Sequence, residues 1–176
     1  MGLSILYQLN WNGTEDSAKL AMSEWKKQLQ TADVSIQDLH PLGFKVRFAE
    51  GAETAKFELK QTEEGLTGFS GCKTQFAALQ QHGGLPNFLK AHKRLIQMLE
   101  TGKELGIVQA VTDDGGYWET RDEAKLTRQM QLGAQCIAWL TGTLGDAFSA
   151  DAVKSPIQTE PHFEQLEAAW KTPAAN

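Results

Sequence analysis

Phe44-Lys45-Val46-Arg47-Phe48-Ala49-Glu50-Gly51-Ala52-Glu53-Thr54-Ala55-Lys56-Phe57-Glu58-Leu59-Lys60 is the stretch that decides the fold class. Phe44, Val46 and Phe48 alternate with Lys45 and Arg47. Ala55, Phe57 and Leu59 alternate with Lys56, Glu58 and Lys60. Successive side chains of a strand point to opposite faces, so each run reads as a strand with one apolar face. Gly51 marks the turn between them, which makes the pair a hairpin. One wet face implies a sheet covered on its other face, with helices as the cover.

Working outward, a weak strand around Val34 and Ile36 precedes the hairpin and is broken by Pro41 and Gly43. A further strand runs from about Leu66 to Cys72. Near the N-terminus, Leu3, Ile5, Tyr7, Leu9 and Trp11 share one face of a strand that Asn12-Gly13 ends. Thr14 or Asp16 can cap a helix reaching about Thr31, since each offers an oxygen to unpaired backbone N–H groups. Its apolar stripe is Ala18, Ala21, Met22, Trp25 and Leu29.

A second helix is expected from Pro86 or Asn87 to about Lys103, with Phe88, His92, Leu95, Ile96 and Leu99 as its buried stripe. Ile107 to Val111 reads as a short buried strand. Thr120-Arg121-Asp122-Glu123 fits a capping box. It opens a long helix with Leu126, Met130, Ala134, Ile137, Leu140 and Leu144 on one face. Pro156 and Pro161 bracket a linker, and Thr159 or Glu160 opens a last helix carrying Phe163, Leu166 and Trp170. The order β-α-β-β-β, then α-β-α, predicts an α+β fold: a mainly antiparallel sheet with helices packed on one face, a two-layer sandwich. Residues 1–176 read as a single domain, with a short C-terminal helix after the Pro-containing linker near 150–160.

Composition narrows the function. The chain is 41% hydrophobic and 22% charged, ordinary for a soluble globular protein. A net charge of -5 argues against nucleic-acid binding and against docking on an anionic membrane. No apolar run approaches the ~20 residues that span a bilayer. Met1 to Ile5 lacks a basic region followed by an apolar stretch, and Leu6 stands where a myristoylation motif wants Ser or Thr. A cytoplasmic location is expected. Two cysteines, Cys72 and Cys136, form neither a disulfide framework nor a zinc motif, and no cofactor or metal signature is read.

Residue types that bind or react concentrate between Phe69 and Asp122. Cys72-Lys73-Thr74-Gln75 follows a strand, and Ser70, Cys72 and Thr74 share one of its faces. Cys72 is either a buried core thiol or a nucleophile activated by a nearby cation. His92 sits on the apolar stripe, so it needs a hydrogen-bond partner. It is either a core histidine held by a carbonyl or carboxylate, or a base or ligand lining a pocket. Gly83-Gly84 before a helix can cradle an anion with help from Lys73, or can serve as a loop. Asp113-Asp114-Gly115-Gly116 is a turn, or an acidic strand end suited to a hard cation. Tyr117 and Trp118 are adjacent and cannot both easily face one core, so one is expected at a pocket wall or an interface. Arg121 is expected to reach a carboxylate or an anionic ligand.

The segments Gly71-Cys72-Lys73-Thr74-Gln75-Phe76-Ala77, Asn87-Phe88-Leu89-Lys90-Ala91-His92, Leu105-Gly106-Ile107 and Asp114-Gly115-Gly116-Tyr117-Trp118-Glu119-Thr120-Arg121-Asp122 resemble a family of uncharacterised bacterial proteins. The resemblance leaves out the N-terminal β-α-β-β part. It implies a bacterial, soluble protein and carries no activity.

The expectation is therefore a small binding or protein-interaction module acting on an unknown small molecule or protein. Its candidate residues are Cys72, Lys73, Gln75, His92, Asp113, Tyr117, Trp118 and Arg121. Two alternatives stand beside it: a hydrolase using Cys72 and His92, with Asp113 or Asp114 orienting the imidazole, and an immunity-type or regulatory partner protein.

Overall fold

The structure is a computed structural model that describes residues 3–29, 34–148 and 153–171. It is an α+β fold with two antiparallel sheets. Strands β1 (Ser4–Trp11), β5 (Lys60–Thr62), β6 (Gly65–Lys73) and β7 (Val108–Asp113) form one sheet in the order β5-β6-β1-β7. Strands β2 (Ser35–His40), β3 (Gly43–Arg47) and β4 (Ala55–Glu58) form the other, in sequence order. The hairpin of the opening stretch is β3–β4, in register Phe44↔Phe57 and Val46↔Ala55.

A single sheet was the expectation, and the division at Leu59 has a steric cause. Leu59 N still donates to Leu42 O of the small sheet (2.9 Å), whereas Lys60 already pairs with Thr67 of β6. The backbone crosses close to β6 at this point. A Cβ on Gly68 would lie 2.0 Å from the Glu58 carbonyl oxygen, so only glycine lets the chains pass. Tyr7 ties the sheets together. Its hydroxyl donates to Lys56 O (2.9 Å) and its ring stacks on Phe57 at 5.2 Å.

Helix α1 (Glu15–Lys27) starts at Thr14, whose Oγ1 accepts from Ser17 N at 3.2 Å. Glu15 and Asp16 in its first turn and Lys26 and Lys27 in its last complement the helix dipole. The expected end near Thr31 lies outside the described residues. Trp25 is fully buried against the edges of Phe44 and Phe57 and donates from Nε1 to Met98 O (2.9 Å). Met98 belongs to α2 (Gly84–Glu104), which buries Phe88, Leu95, Ile96 and Leu99 in the same core as Ile5, Tyr7 and Leu9 of β1. On the opposite face of the large sheet, Leu6 and Phe69 are exposed, Phe69 to 74%.

Three local expectations are corrected. The strand read at Ile107 to Val111 as buried is an edge strand, paired with β1 alone and exposed at Gln109, Ala110 and Thr112. The capping box at Thr120 is not formed. A one-turn helix α3 (Tyr117–Thr120) uses the Thr120 hydroxyl on Gly116 O (2.6 Å). Asp122 Oδ1 instead caps α4 (Glu123–Phe148), accepting from Ala124 N (2.8 Å) and Lys125 N (3.0 Å). In the second half of α4, Leu140 is exposed, while Cys136, Ala138 and Thr141 are buried. Helix α5 (Phe163–Lys171) packs there, so close that a Cβ on Gly142 would meet Glu167 at 2.6 Å. Residues 149–152 of the expected linker and the Trp170 side chain lie outside the described residues. No helix among the described residues is long and apolar enough to cross a membrane.

Candidate functional site

Register places the first group of candidates. Cys72 and Asp113 both pair with Ile5, one from each side of β1, so all three face the covered side of the sheet. Helix α2 crosses that side and carries His92. The imidazole lies between Thr74 and Asp113: Nδ1 is 2.9 Å from Thr74 Oγ1 and Nε2 is 3.1 Å from Asp113 Oδ2. Both partners come from strand ends, Thr74 just after β6 and Asp113 at the end of β7.

Asp113 is the hub of this relay. Its Oδ1 accepts from Gly115 N (2.8 Å), and its Oδ2 accepts from Tyr117 N (2.8 Å), Trp118 N (3.0 Å) and His92. Burial pushes the carboxyl pKa up. The His92 hydrogen bond and charge, with the Trp118 and Gly115 amides, outweigh burial and hold it below its ordinary value. An ionised Asp113 only accepts, so Nε2 of His92 carries a proton toward it, while Nδ1 is paired with the Thr74 hydroxyl. The Asp113–Gly116 segment is thus a turn locked by its own first residue, with Gly116 N also donating to Asp113 O (2.9 Å). Among the described residues no three His, Cys, Asp or Glu side chains converge as a metal site requires.

A hydroxyl, an imidazole and a carboxylate in line are the residue types of a nucleophilic relay. Here Thr74 is 1% exposed and His92 fully buried, so the relay braces the fold where two strand ends meet α2. The Cys72–His92 pair that the hydrolase alternative needs is not formed. Both imidazole nitrogens are engaged by Thr74 and Asp113, and Cys72 Sγ donates to Glu53 O at 3.4 Å. Burial, reinforced by the Glu53 charge, pushes the Cys72 thiol up to about 12, far from a reactive thiolate. Lys73 is held through its main chain, its N–H donating to Glu53 Oε2 (2.9 Å). The Gly83 and Gly84 amides donate to Gln80 O and Leu79 O, so they are not turned toward an anion.

Tyr117 and Trp118 divide between core and surface: Tyr117 is buried and Trp118 half-buried. The Arg121 guanidinium lies 5.0 Å from the Trp118 ring and 5.8 Å from the Tyr117 ring, and Lys103 Nζ lies 5.7 Å from Trp118. Arg121 donates to the Tyr117 and Trp118 carbonyls, and the carboxylate it reaches is Glu100. Its φ of +56° is left-handed, a strained conformation for a residue other than glycine.

Gln75 leads to the cavity. Its Oε1 accepts from Leu3 N, and it opens a 3₁₀ turn, Gln75–Ala78, that a second, Gln80–His82, follows. These turns face α4, the turn Pro156–Thr159 and α5 across a cavity of about 460 Å³. Phe76, Leu79, Leu85, Met130, Ile157 and Leu166 give it an apolar body. Gln75, Gln131, Gln135, Glu160 and His162 supply the polar groups. Thr74 O accepts from Ala77 N (3.0 Å), so the relay fixes the start of one cavity wall. A second cavity, about 440 Å³, lies between α1 and the β2–β3 hairpin. The Lys26–Asp38 ion pair (2.7 Å) spans it, and it lacks a comparable apolar body.

Sequence reasoning named Gln75 as a site residue but gave Thr74 no role beyond the Cys72 face and Glu160 none beyond a helix start, and it passed over both α4 glutamines. Thr74 was discoverable as the next residue on the Cys72 face; the others come from helices whose return to residues 75–80 no local pattern announces. Comparison with protein-family models, curated proteins and solved structures gives no match.

Proposed function

We propose that the protein is a small-molecule binding module whose ligand site is the cavity between the Gln75–His82 turns and the α4–α5 helices. The observation that carries this is the cavity itself: a volume suited to a small ligand, an apolar body, and a few polar groups converging from separate elements. The Thr74–His92–Asp113 relay serves as the brace that holds one wall, which accounts for a buried polar network away from any accessible chemistry. The neutral fluorophore N-phenyl-1-naphthylamine tests the reading. Saturable one-to-one enhancement is expected, lost in Ala134→Trp, which fills the cavity from α4 while keeping the circular dichroism of the parent. Absence of saturable binding to the parent protein refutes it.

A second reading, a protein contact of regulatory or immunity type, is favoured by the Trp118 surface. Trp and Arg are the side chains that most often anchor interfaces, and here they stand together on a one-turn helix fixed by Asp113. Trp118→Ala separates the two readings: fluorophore binding is unchanged if the cavity is the site.

A further inference from the structure

We propose that this cavity selects a cation, an amine or guanidine carried on an apolar body, with Glu160 as its counter-ion. The inference rests on the cavity being the ligand site. Glu160 is 8% exposed, an unusual degree of burial for a carboxylate. Its Oε1 accepts from Gln80 N at 2.8 Å, which ties the segment before α5 to the wall opposite. That bond uses one oxygen. Among the described residues neither a hydrogen-bond donor nor a Lys, Arg or His pairs with Oε2, and Oε2 is not among the buried atoms left without a partner.

The second oxygen is therefore accessible beside the cavity, where a charged hydrogen-bond donor can reach it. Among the described residues the cavity wall carries no Lys or Arg. His162, the remaining titratable group on it, is exposed and solvated. An anionic ligand would therefore meet Glu160 with nothing to offset the repulsion. An ammonium or guanidinium would donate to that oxygen, and Gln131 and Gln135, which also line the cavity, carry amide carbonyls that accept further N–H groups. The apolar residues take the rest of the ligand.

Three ligands with one body and different heads test this: octylammonium, octanoate and 1-octanol, each displacing N-phenyl-1-naphthylamine from the full chain near neutral pH. Octylammonium is expected to displace at a concentration about tenfold or more below octanoate, the effect of one charge-assisted hydrogen-bonded pair. Glu160→Gln keeps an acceptor for Gln80 N. It should bring the two concentrations together and leave 1-octanol unchanged. Equal displacement by the two ions in the parent, or a preference that survives Glu160→Gln, overturns the cation proposal while the cavity reading stands. A parent protein that binds none of the fluorophore and ligands overturns both.

Discussion

Asp113→Asn removes one charge and changes almost no volume, so it isolates what the carboxylate contributes to the relay. The carboxylate accepts four hydrogen bonds, one on Oδ1 and three on Oδ2. An asparagine does best with its carbonyl oxygen at the three-donor position. Its amide then faces Gly115 N–H, leaving a buried donor unsatisfied at a cost of ~1–3 kcal/mol. The three remaining bonds lose their charge assistance, which brings the total to about 3–5 kcal/mol. That is a large share of the ~5–15 kcal/mol that holds a typical domain together.

The sign with pH follows from the lowered pKa. The folded value lies below the ordinary 3.8, so the stabilisation is complete above 3.8 and is lost as pH falls through the folded value. Urea denaturation of both proteins, followed by tryptophan fluorescence from about pH 7 to about pH 3, measures the difference directly. The gap between them should stay level at higher pH and narrow at the acid end. A gap below ~1 kcal/mol at neutral pH, or one that widens on acidification, refutes the role given to Asp113.

Other consequences are open to measurement. Cys72, with its thiol pushed up to about 12, should resist thiol reagents in the native protein and react only after unfolding; rapid native labelling mapped to Cys72 would contradict its burial. Gly102→Ala places a Cβ 2.4 Å from Trp25 and 2.6 Å from Val108, and overpacking of ~1–3 kcal/mol should outweigh the ~1 kcal/mol helix-propensity gain, so a higher melting temperature would count against the packing described. Glu58 is clamped by Lys56 (2.6 Å), His40 (2.9 Å) and Lys60 (3.3 Å), and its carboxyl is lowered to about 2, chiefly by the Lys56 bond. Its contribution to stability is therefore present at neutral pH and lost below 4.5 toward 2; NMR titration should place the midpoint near 2 and Lys56→Met should raise it.

The strands were legible because one-sided burial writes itself as period two: Phe44, Val46 and Phe48 face the core, and Lys45 and Arg47 do not. The same logic placed His92 on a buried stripe and showed that it needed a partner. It did not name Thr74, and it offered Asp113 only beside Asp114 as the carboxylate of the hydrolase alternative, because those contacts depend on which strand ends α2 passes, and strand order leaves no periodic trace. Leu140 was misread for a related reason. The second half of α4 is buried through Cys136, Ala138 and Thr141 and meets α5 at Gly142, where closeness matters more than hydrophobicity. Thr120 and Asp122 are both good caps, and the extra turn at Tyr117–Thr120 decided between them. The cavity was the least legible feature, since its walls meet only through tertiary return.

Strand β1 is held between two neighbours that lie far along the chain, β6 ending at Lys73 and β7 ending at Asp113. Synthesis at ~5–20 residues/s puts on the order of ten seconds between the emergence of β1 and that of its second partner. From the emergence of β6 to that of β7, Ile5, Tyr7 and Leu9 belong to a sheet with an open edge on the nascent chain, the kind of edge that recruits other strands. The last strand to arrive closes that edge and also carries the carboxylate that locks His92. Completion of the sheet and assembly of the relay are therefore one event in the protein's biogenesis.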